Sequence, residues 1–142
     1  MTATPIRPTI LVTAAVIERD GRLLVTCRLD GTHLAGCWEF PGGKCEPGEE
    51  PRAALVREIH EELDAGVEVG REVLRTSHAY PDRVVELRFF EARLLGEPRP
   101  LLGQEMRWVG REELGTLEFP PADAELIRLL AADGTPGSAS DC

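Results

Sequence analysis

The sequence has little of the basic charge that proteins need in order to hold nucleic acids. Its 142 residues include 16 Lys and Arg against 25 Asp and Glu, which gives a formal net charge of −9. Phosphate backbones are bound through a surplus of Lys and Arg, so this balance argues against a nucleic acid polymer as the main partner. It also implies that a polyphosphate substrate needs a metal ion and local arginines to offset charge repulsion.

The sequence also lacks paired cysteine motifs, long apolar runs and internal repeats. Its 4 cysteines form no C-x-x-C pair and no signal sequence is recognisable, so we expect reduced thiols in a cytoplasmic protein. No apolar run approaches the roughly 20 residues that span a membrane as a helix. We expect one domain with a real core over residues 1–132, and a mobile tail over residues 133–142, which lack periodicity.

Apolar patterns predict strands on both sides of one central helix. Thr9 to Glu18 and Arg22 to Arg28 flank Asp20-Gly21, which is a typical signal for a type I′ hairpin. Segments 85–89 and 106–109 have the pattern of further short strands, and 121–132 has that of a closing helix. Trp38 and Phe40 alternate with Glu39 and should point to one side of a short extended segment. This mixture predicts a layered α/β (α+β) fold.

Three glutamates within the central predicted helix are the most informative feature: Glu58, Glu61 and Glu62. Positions i, i+3 and i+4 share one helix face, where like charges destabilise the helix unless a cation lies between them. Hard divalent cations such as Mg²⁺ take oxygen ligands of this kind, commonly together with substrate phosphates. Taken alone, the same pattern also fits a solvated acidic face.

The residues around these glutamates predict how the helix begins and packs. Gly42-Gly43 opens a glycine loop whose backbone can approach a ligand closely, and Pro51 suits the first helical turn. The glutamates lie on the arc beside an apolar stripe, so the helix should present carboxylates at the rim of its packed face. The stripe consists of Leu55, Ile59 and Leu63, with Val56 beside them.

These residues resemble the Nudix box, G-x5-E-x7-R-E-U-x-E-E-x-G-U, in which U is an aliphatic residue. Gly43, Glu49 and the segment 57–62 match it in identity and spacing, whereas its last two positions are Asp64 and Ala65 here. Because Asp can adopt the left-handed conformation that ends a helix, we interpret Asp64 as a shifted helix end. The resemblance implies an α/β/α sandwich with a central mixed sheet, in which the box forms a loop–helix–loop.

Three further segments resemble the MutT-type nucleoside triphosphate pyrophosphohydrolases of this family, and they imply the remaining site residues. The segments are 26–43, 80–83 and 119–123. The resemblance implies substrate contacts by Arg28, His33, Glu39, Phe40, Pro41, Gly42, Arg83 and Asp123, the last of which would face the base. It implies that the metal is held by the Gly42 carbonyl, Glu58, Glu61 and Glu62. Trp38 we interpret as a core residue.

Two departures from the family pattern bear on the metal and on the base. Many relatives have a glutamate, which can join the metal ligands, where this chain has Leu102; the nearby Glu105 has the opposite strand parity. MutT has an asparagine where this chain has Asp123. An ionised aspartate only accepts hydrogen bonds, which suits the amine of cytosine, whereas a protonated one can also donate to an oxidised purine. The preferred base therefore stays open.

The implied function is metal-assisted hydrolysis of a nucleoside triphosphate to the monophosphate and pyrophosphate, in sanitation of the nucleotide pool. Mg²⁺, with Mn²⁺ as an alternative, would be held by the three glutamates. Glu58 would be the general base, and Arg57 would pair with Glu49 to hold the loop against the helix. The expected substrate is 8-oxo-dGTP, with CTP-type pyrimidines as the alternative.

Two rival functions have less support from the sequence. A non-catalytic Nudix-like binding module would usually have lost glutamates of the box, and all three are present here. An enzyme acting on nucleoside diphosphate derivatives such as ADP-ribose is disfavoured by the short chain and by the segment 119–123. We expect a monomer or a homodimer that binds neither nucleic acid polymers nor membranes.

Overall fold

The computed structural model describes residues 7–29 and 36–133. The predicted site residue His33 and the predicted tail from residue 134 onward lie outside these ranges. The strands are β1 (Thr9–Arg19), β2 (Arg22–Cys27), β3 (Trp38–Glu39), β4 (Gly42–Lys44), β5 (Val67–Tyr80), β6 (Arg83–Leu94) and β7 (Met106–Gly110). The helices are α1 (Pro51–Leu63) and α2 (Ala124–Asp133), with 3₁₀ helices at Arg111–Thr116 and Pro121–Asp123. Over these residues no helix has the length and apolar character needed to cross a membrane.

The strands form one mixed sheet in the order β3-β2-β1-β6-β5, with β4 paired to β1 and β7 paired to β2. β1 and β6 run parallel, and the other strand pairs in the described chain are antiparallel. The β1–β2 turn has positive φ at both Asp20 (54°) and Gly21 (77°), as a type I′ turn requires, which confirms the predicted hairpin. β1 changes partner along its length, because residues 12–14 pair with β4 and residues 18–19 pair with β2. β2 and β4 thus occupy the same edge of β1 at different levels.

Alternate residues of β1 face two separate cores, one on each side of the sheet. Ala14 and Val16 belong to the core that α2 closes through Leu126 and Leu130. Residues 15 and 17 belong to the opposite core, which α1 closes. Because side chains alternate along a strand, one sheet can bury both of its faces under helices. The α/β/α sandwich with a central mixed sheet is therefore confirmed.

Helix α1 packs by a narrower stripe than the sequence predicts. Leu55, Ile59 and Leu63 are fully buried, as predicted, but Val56 is 40% exposed and does not belong to the stripe. At about 100° per residue, position 56 turns away from the sheet, and Ala54 takes the remaining buried place. The prediction for Val56 was wrong because it considered the apolar character of this residue but not its angular position around the helix.

The two ends of α1 follow local chemistry that the sequence shows. Pro51 is the first helical residue, and the Glu50 carboxylate caps the helix by accepting from the Ala53 N–H at 3.1 Å. At the other end Asp64 adopts the left-handed conformation (φ 53°, ψ 40°), and its N–H donates to the His60 carbonyl. The helix end interpreted at Asp64 is confirmed. The Asp64 carboxylate pairs with Arg99, which lowers the pKa of this carboxyl.

Two other segments differ from their predicted form. Residues 42–44, predicted as part of a glycine loop, form the short strand β4. Residues 121–123, predicted as the start of the last helix, form a 3₁₀ turn that precedes α2.

The packing around Gly42 and Gly43 requires glycine at both positions, apart from any contact with a ligand. A Cβ at position 42 would lie 2.1 Å from the Thr13 carbonyl oxygen, and one at position 43 would lie 2.3 Å from the Glu58 carboxyl carbon.

We expect Gly42→Ala to destabilise the fold. The new Cβ would meet the backbone of β1 at 2.1 and 2.7 Å, and backbone cannot yield as the tip of a side chain can. Such overpacking costs about 1–3 kcal/mol, so thermal unfolding should shift down by several degrees. Gly115→Ala is the control, since a Cβ there meets nothing within 4 Å. Equal melting temperatures for the two variants would contradict the assigned strand packing.

Candidate active site

A cleft of about 400 Å³ brings most of the predicted substrate residues together. Its walls come from β1, β2, the β3–β4 segment, the β5–β6 turn, the loop before β7 and the 3₁₀ turn before α2. The predicted residues that line it are Arg28, Glu39, Phe40, Gly42, Glu62, Arg83 and Asp123. Pro41 lies buried behind this wall, where its carbonyl accepts from the Ala15 N–H at 2.8 Å.

Glu58 and Glu62, of which Glu62 lines the cleft, form its acidic end. They are one turn apart on α1, and their carboxyl groups lie within hydrogen-bond reach of each other. Burial raises the pKa of Glu62 to about 8, and the charges of Glu39 and Glu58 act in the same direction. The Gly42 N–H opposes this rise by donating to the Glu62 carboxyl. The two carboxyl groups therefore share one crowded place, which favours a proton or a cation between them.

Arg57 holds the opposite side of these carboxylates. Its Nε and Nη2 donate to the two oxygens of Glu49 at 2.8 and 2.9 Å, and Nη2 also donates to the Lys44 carbonyl at 3.1 Å. Its Nη1 donates to Glu58 at 3.0 Å and to Glu61 at 3.2 Å. The predicted pair of Arg57 with Glu49 is therefore present, and it joins the loop before α1 to the helix. The hydrogen bonds from Arg57 lower the pKa of Glu49 to about 2.

Glu61 differs from the other two glutamates of the motif. Its side chain is 56% exposed, whereas that of Glu58 is only 16% exposed and Glu62 lines the cleft. In the part of the chain that the structure describes, no three His, Cys, Asp or Glu side chains converge closely enough to hold a metal by themselves. The two carboxylates that do converge are those of Glu58 and Glu62.

This donor set fits a hard divalent cation. Mg²⁺ is usually bound through one or two carboxylates, with water and substrate phosphates as its other ligands. The raised pKa of Glu62 reflects negative charge that is crowded into a buried place, and a cation there would relieve that crowding. The residues that would hold the ion are thus Glu58 and Glu62, two carboxylates of one helix face.

A second buried carboxyl, that of Asp123, also lines the cleft. Its side chain is 6% exposed, and burial raises its pKa to about 7, with help from the charge of Glu39 and opposition from Arg28. Arg28 in turn donates to Glu39 at 2.7 Å. Phe40 is buried beside this group and stacks on Phe119 with ring centroids 5.4 Å apart. The buried carboxyl therefore changes its protonation state near neutral pH.

Leu102 stands at the mouth of the cleft, at the position where many relatives have a glutamate. Leu102 lines the cleft and is 55% exposed, so the position is near the site but offers no carboxylate. Glu105 does not line the cleft and pairs instead with Arg107 at 3.3 Å. Arg83 lies on the cleft wall and also pairs with its neighbour Asp82.

Sequence reasoning gave no role to two residues of the cleft wall. Tyr80 lines the cleft, and burial raises the pKa of its phenol, which lies in hydrogen-bond reach of the Ala122 backbone. Gln104 also lines the cleft and is 7% exposed. Strand alternation could not have identified it, because residues 101–103 form a turn in which Gly103 has a φ of 77°.

Comparisons with known proteins agree with this geometry. The family model described as NUDIX domain matches residues 12–129. The 8-oxo-dGTP diphosphatase of Haemophilus influenzae is 39% identical over 124 residues, covering 85% of this chain and 90% of that protein. The CTP pyrophosphohydrolase of Escherichia coli is 37% identical over 122 residues, covering 85% of this chain and 90% of that protein. 

Solved structures show the same architecture. The solution structure of the E. coli ORF135 protein has a TM-score of 0.80 at 35% identity, covering 93% of this chain and 96% of that one. The solution structure of MutT from a methicillin-resistant Staphylococcus aureus has a TM-score of 0.75 at 32% identity, covering 90% and 99%. With the acidic helix face, its arginine partner and the cleft in place, the chain belongs to the Nudix family of hydrolases.

Proposed function

We propose that the protein hydrolyses nucleoside triphosphates to nucleoside monophosphates and pyrophosphate, with Mg²⁺ or Mn²⁺ as the metal. The observation that carries this proposal is a single cleft lined by Glu62, which Glu39 and Glu58 crowd with negative charge, and by the buried Asp123. A nucleotide can span such a cleft with its phosphates at the acidic end, over a metal, and its base at Asp123. Similarity to an 8-oxo-dGTP diphosphatase and a CTP pyrophosphohydrolase supports the same substrate class.

The residues at the acidic end have distinct tasks in this proposal. When bound, the metal neutralises phosphate charge and lowers the pKa of a water molecule that it orients. Glu58 accepts the proton of the attacking water, and Arg57 holds that carboxylate in place through the hydrogen bond at 3.0 Å. Glu62 would hold the metal, with the Gly42 carbonyl as the expected backbone ligand. A ligand role for Glu61 requires its carboxylate to leave Arg57.

The cleft wall supplies the remaining substrate contacts. Arg28 and Arg83 offset the negative charge of the phosphates in a protein whose net charge is −9. Phe40, stacked on Phe119, gives the base an apolar surface. The preferred base depends on Asp123, which accepts hydrogen bonds when ionised and also donates when protonated. We propose 8-oxo-dGTP as the main substrate, and CTP-type pyrimidines as the alternative that an ionised Asp123 favours.

Removing the charge of either central glutamate should nearly abolish turnover. Glu58→Gln and Glu62→Gln keep the side-chain shape but remove the general base or a metal ligand, so kcat should fall by about 100-fold or more. The control is Glu125→Gln, because Glu125 is exposed on α2 and does not line the cleft. Steady-state rates with unchanged circular dichroism are the measurement. Near wild-type kcat in either cleft variant would refute the assigned roles.

The products should be the monophosphate and pyrophosphate. Attack at the α or the β phosphorus breaks the anhydride bond between them, so the triphosphate releases pyrophosphate in a single step. Phosphorus NMR of the reaction with 8-oxo-dGTP and with CTP resolves the products directly. Orthophosphate together with a nucleoside diphosphate would place the cut at the other anhydride and contradict the proposal.

Asp123→Asn should separate the two candidate bases. Losing a charged hydrogen bond of about 1.5–3 kcal/mol should lower kcat/KM for CTP roughly 10- to 100-fold, whereas 8-oxo-dGTP should lose less or gain, since Asn both donates and accepts. In the wild type, the ratio of kcat/KM for CTP to that for 8-oxo-dGTP should rise as pH increases through about 7, because Asp123 ionises there. Taking the ratio cancels the pH dependence that other titrating groups impose equally on both substrates.

The variant itself provides the control for this pH dependence. In Asp123→Asn the ratio should be flat with pH, because the amide does not titrate. An equal loss on both substrates with an unchanged pH profile would show that Asp123 supports the fold of the cleft and does not select the base.

A further inference from the structure

We infer that Gln104 is a positioning residue, which holds Glu62 where it can bind the metal. The inference rests on the proposed function of the same cleft. Gln104 is 7% exposed and lines the cleft, and its side chain carries no charge. Its influence must therefore pass through hydrogen bonds.

Both polar atoms of the Gln104 side chain are used close to the site. Its Nε2 donates to the main-chain carbonyl of Glu62 at 3.3 Å, and its Oε1 accepts from the Leu102 N–H at 2.9 Å. One amide thus connects the last turn of the helix to the loop residue at the cleft mouth. A buried amide satisfied at both ends has a restricted geometry.

The segment from Arg99 to Gln104 holds the end of α1 at several further points. The last carbonyls of a helix lack intrahelical partners, and here the segment supplies them. The Leu101 N–H donates to the Glu62 carbonyl at 3.0 Å, and the Arg99 N–H donates to the Leu63 carbonyl at 2.7 Å. The Glu62 carbonyl therefore accepts two hydrogen bonds from outside the helix, one of which comes from Gln104.

Electrostatics explains why this residue needs such an anchor. The Glu62 carboxyl lies within hydrogen-bond reach of the Glu58 carboxyl, one turn away on the same helix. Like charges at that spacing favour an outward displacement of the side chain, and an unsupported final helical turn can fray. The hydrogen bonds to the Glu62 carbonyl hold the turn from which this side chain projects.

The experiment compares Gln104→Met and Gln104→Asn with the wild type. Met fills the same volume but makes neither hydrogen bond, and Asn keeps the amide but is one methylene too short to reach both partners. Mn²⁺ binding is measured by electron paramagnetic resonance without nucleotide, beside the Mg²⁺ concentration that gives half-maximal rate. We expect both variants to bind the metal about 10-fold more weakly or worse. At saturating Mg²⁺ most of kcat should return, and KM for the nucleotide should change little.

Glu105→Gln is the matched control. Glu105 follows Gln104 in the sequence, but it does not line the cleft and pairs with Arg107, so this substitution should leave metal binding unchanged. Wild-type Mn²⁺ affinity in Gln104→Met and Gln104→Asn would overturn the inference. So would a rate loss that excess Mg²⁺ does not restore, accompanied by a lower melting temperature, since that marks a purely structural role. If the wild type binds Mn²⁺ but hydrolyses no nucleotide, the proposed function fails, while the Mn²⁺ comparison still decides the role of Gln104.

Discussion

The site depends on the hydrogen bonds that the Arg57 guanidinium donates. It donates to Glu49 and to the Lys44 carbonyl on the loop side, and to Glu58 on the helix side. The loop is thereby brought so close to the helix that Gly43 lies against the Glu58 carboxyl, with no room for a Cβ. Loss of this one side chain would free the loop and leave the carboxylates of the helix face without a compensating charge.

The cleft buries two carboxyl groups, and ionising them costs free energy in a protein that is already acidic. Burial raises the pKa of Glu62 to about 8 and that of Asp123 to about 7, and Glu39 contributes to both shifts. Carboxyl groups perturbed in this way, inside a cleft, are typical of binding and catalytic sites. Their position suits a substrate that arrives with a cation at one end and a hydrogen-bonding base at the other.

Sequence reasoning was successful where chemistry is local and incomplete where geometry is long-range. The hairpin at Asp20-Gly21, the helix end at Asp64 and the pair of Arg57 with Glu49 each follow from residues that are near one another along the chain. The exposure of Val56 was missed because helix faces are set by angle as well as by apolar character. Gln104 was missed because its partner, Glu62, lies 42 residues earlier.

The sequence by itself determined the family, the acidic helix face and seven of the residues that line the cleft, since these depend on residue type at fixed spacing. Only the tertiary structure decided which glutamates converge. The carboxyl groups of Glu58 and Glu62 lie within hydrogen-bond reach of each other, whereas the Glu61 side chain is 56% exposed. It also decided that Asp123 titrates near neutrality, because burial and the neighbouring Glu39 set that pKa. Both outcomes arise from distances between segments that the chain brings together only on folding.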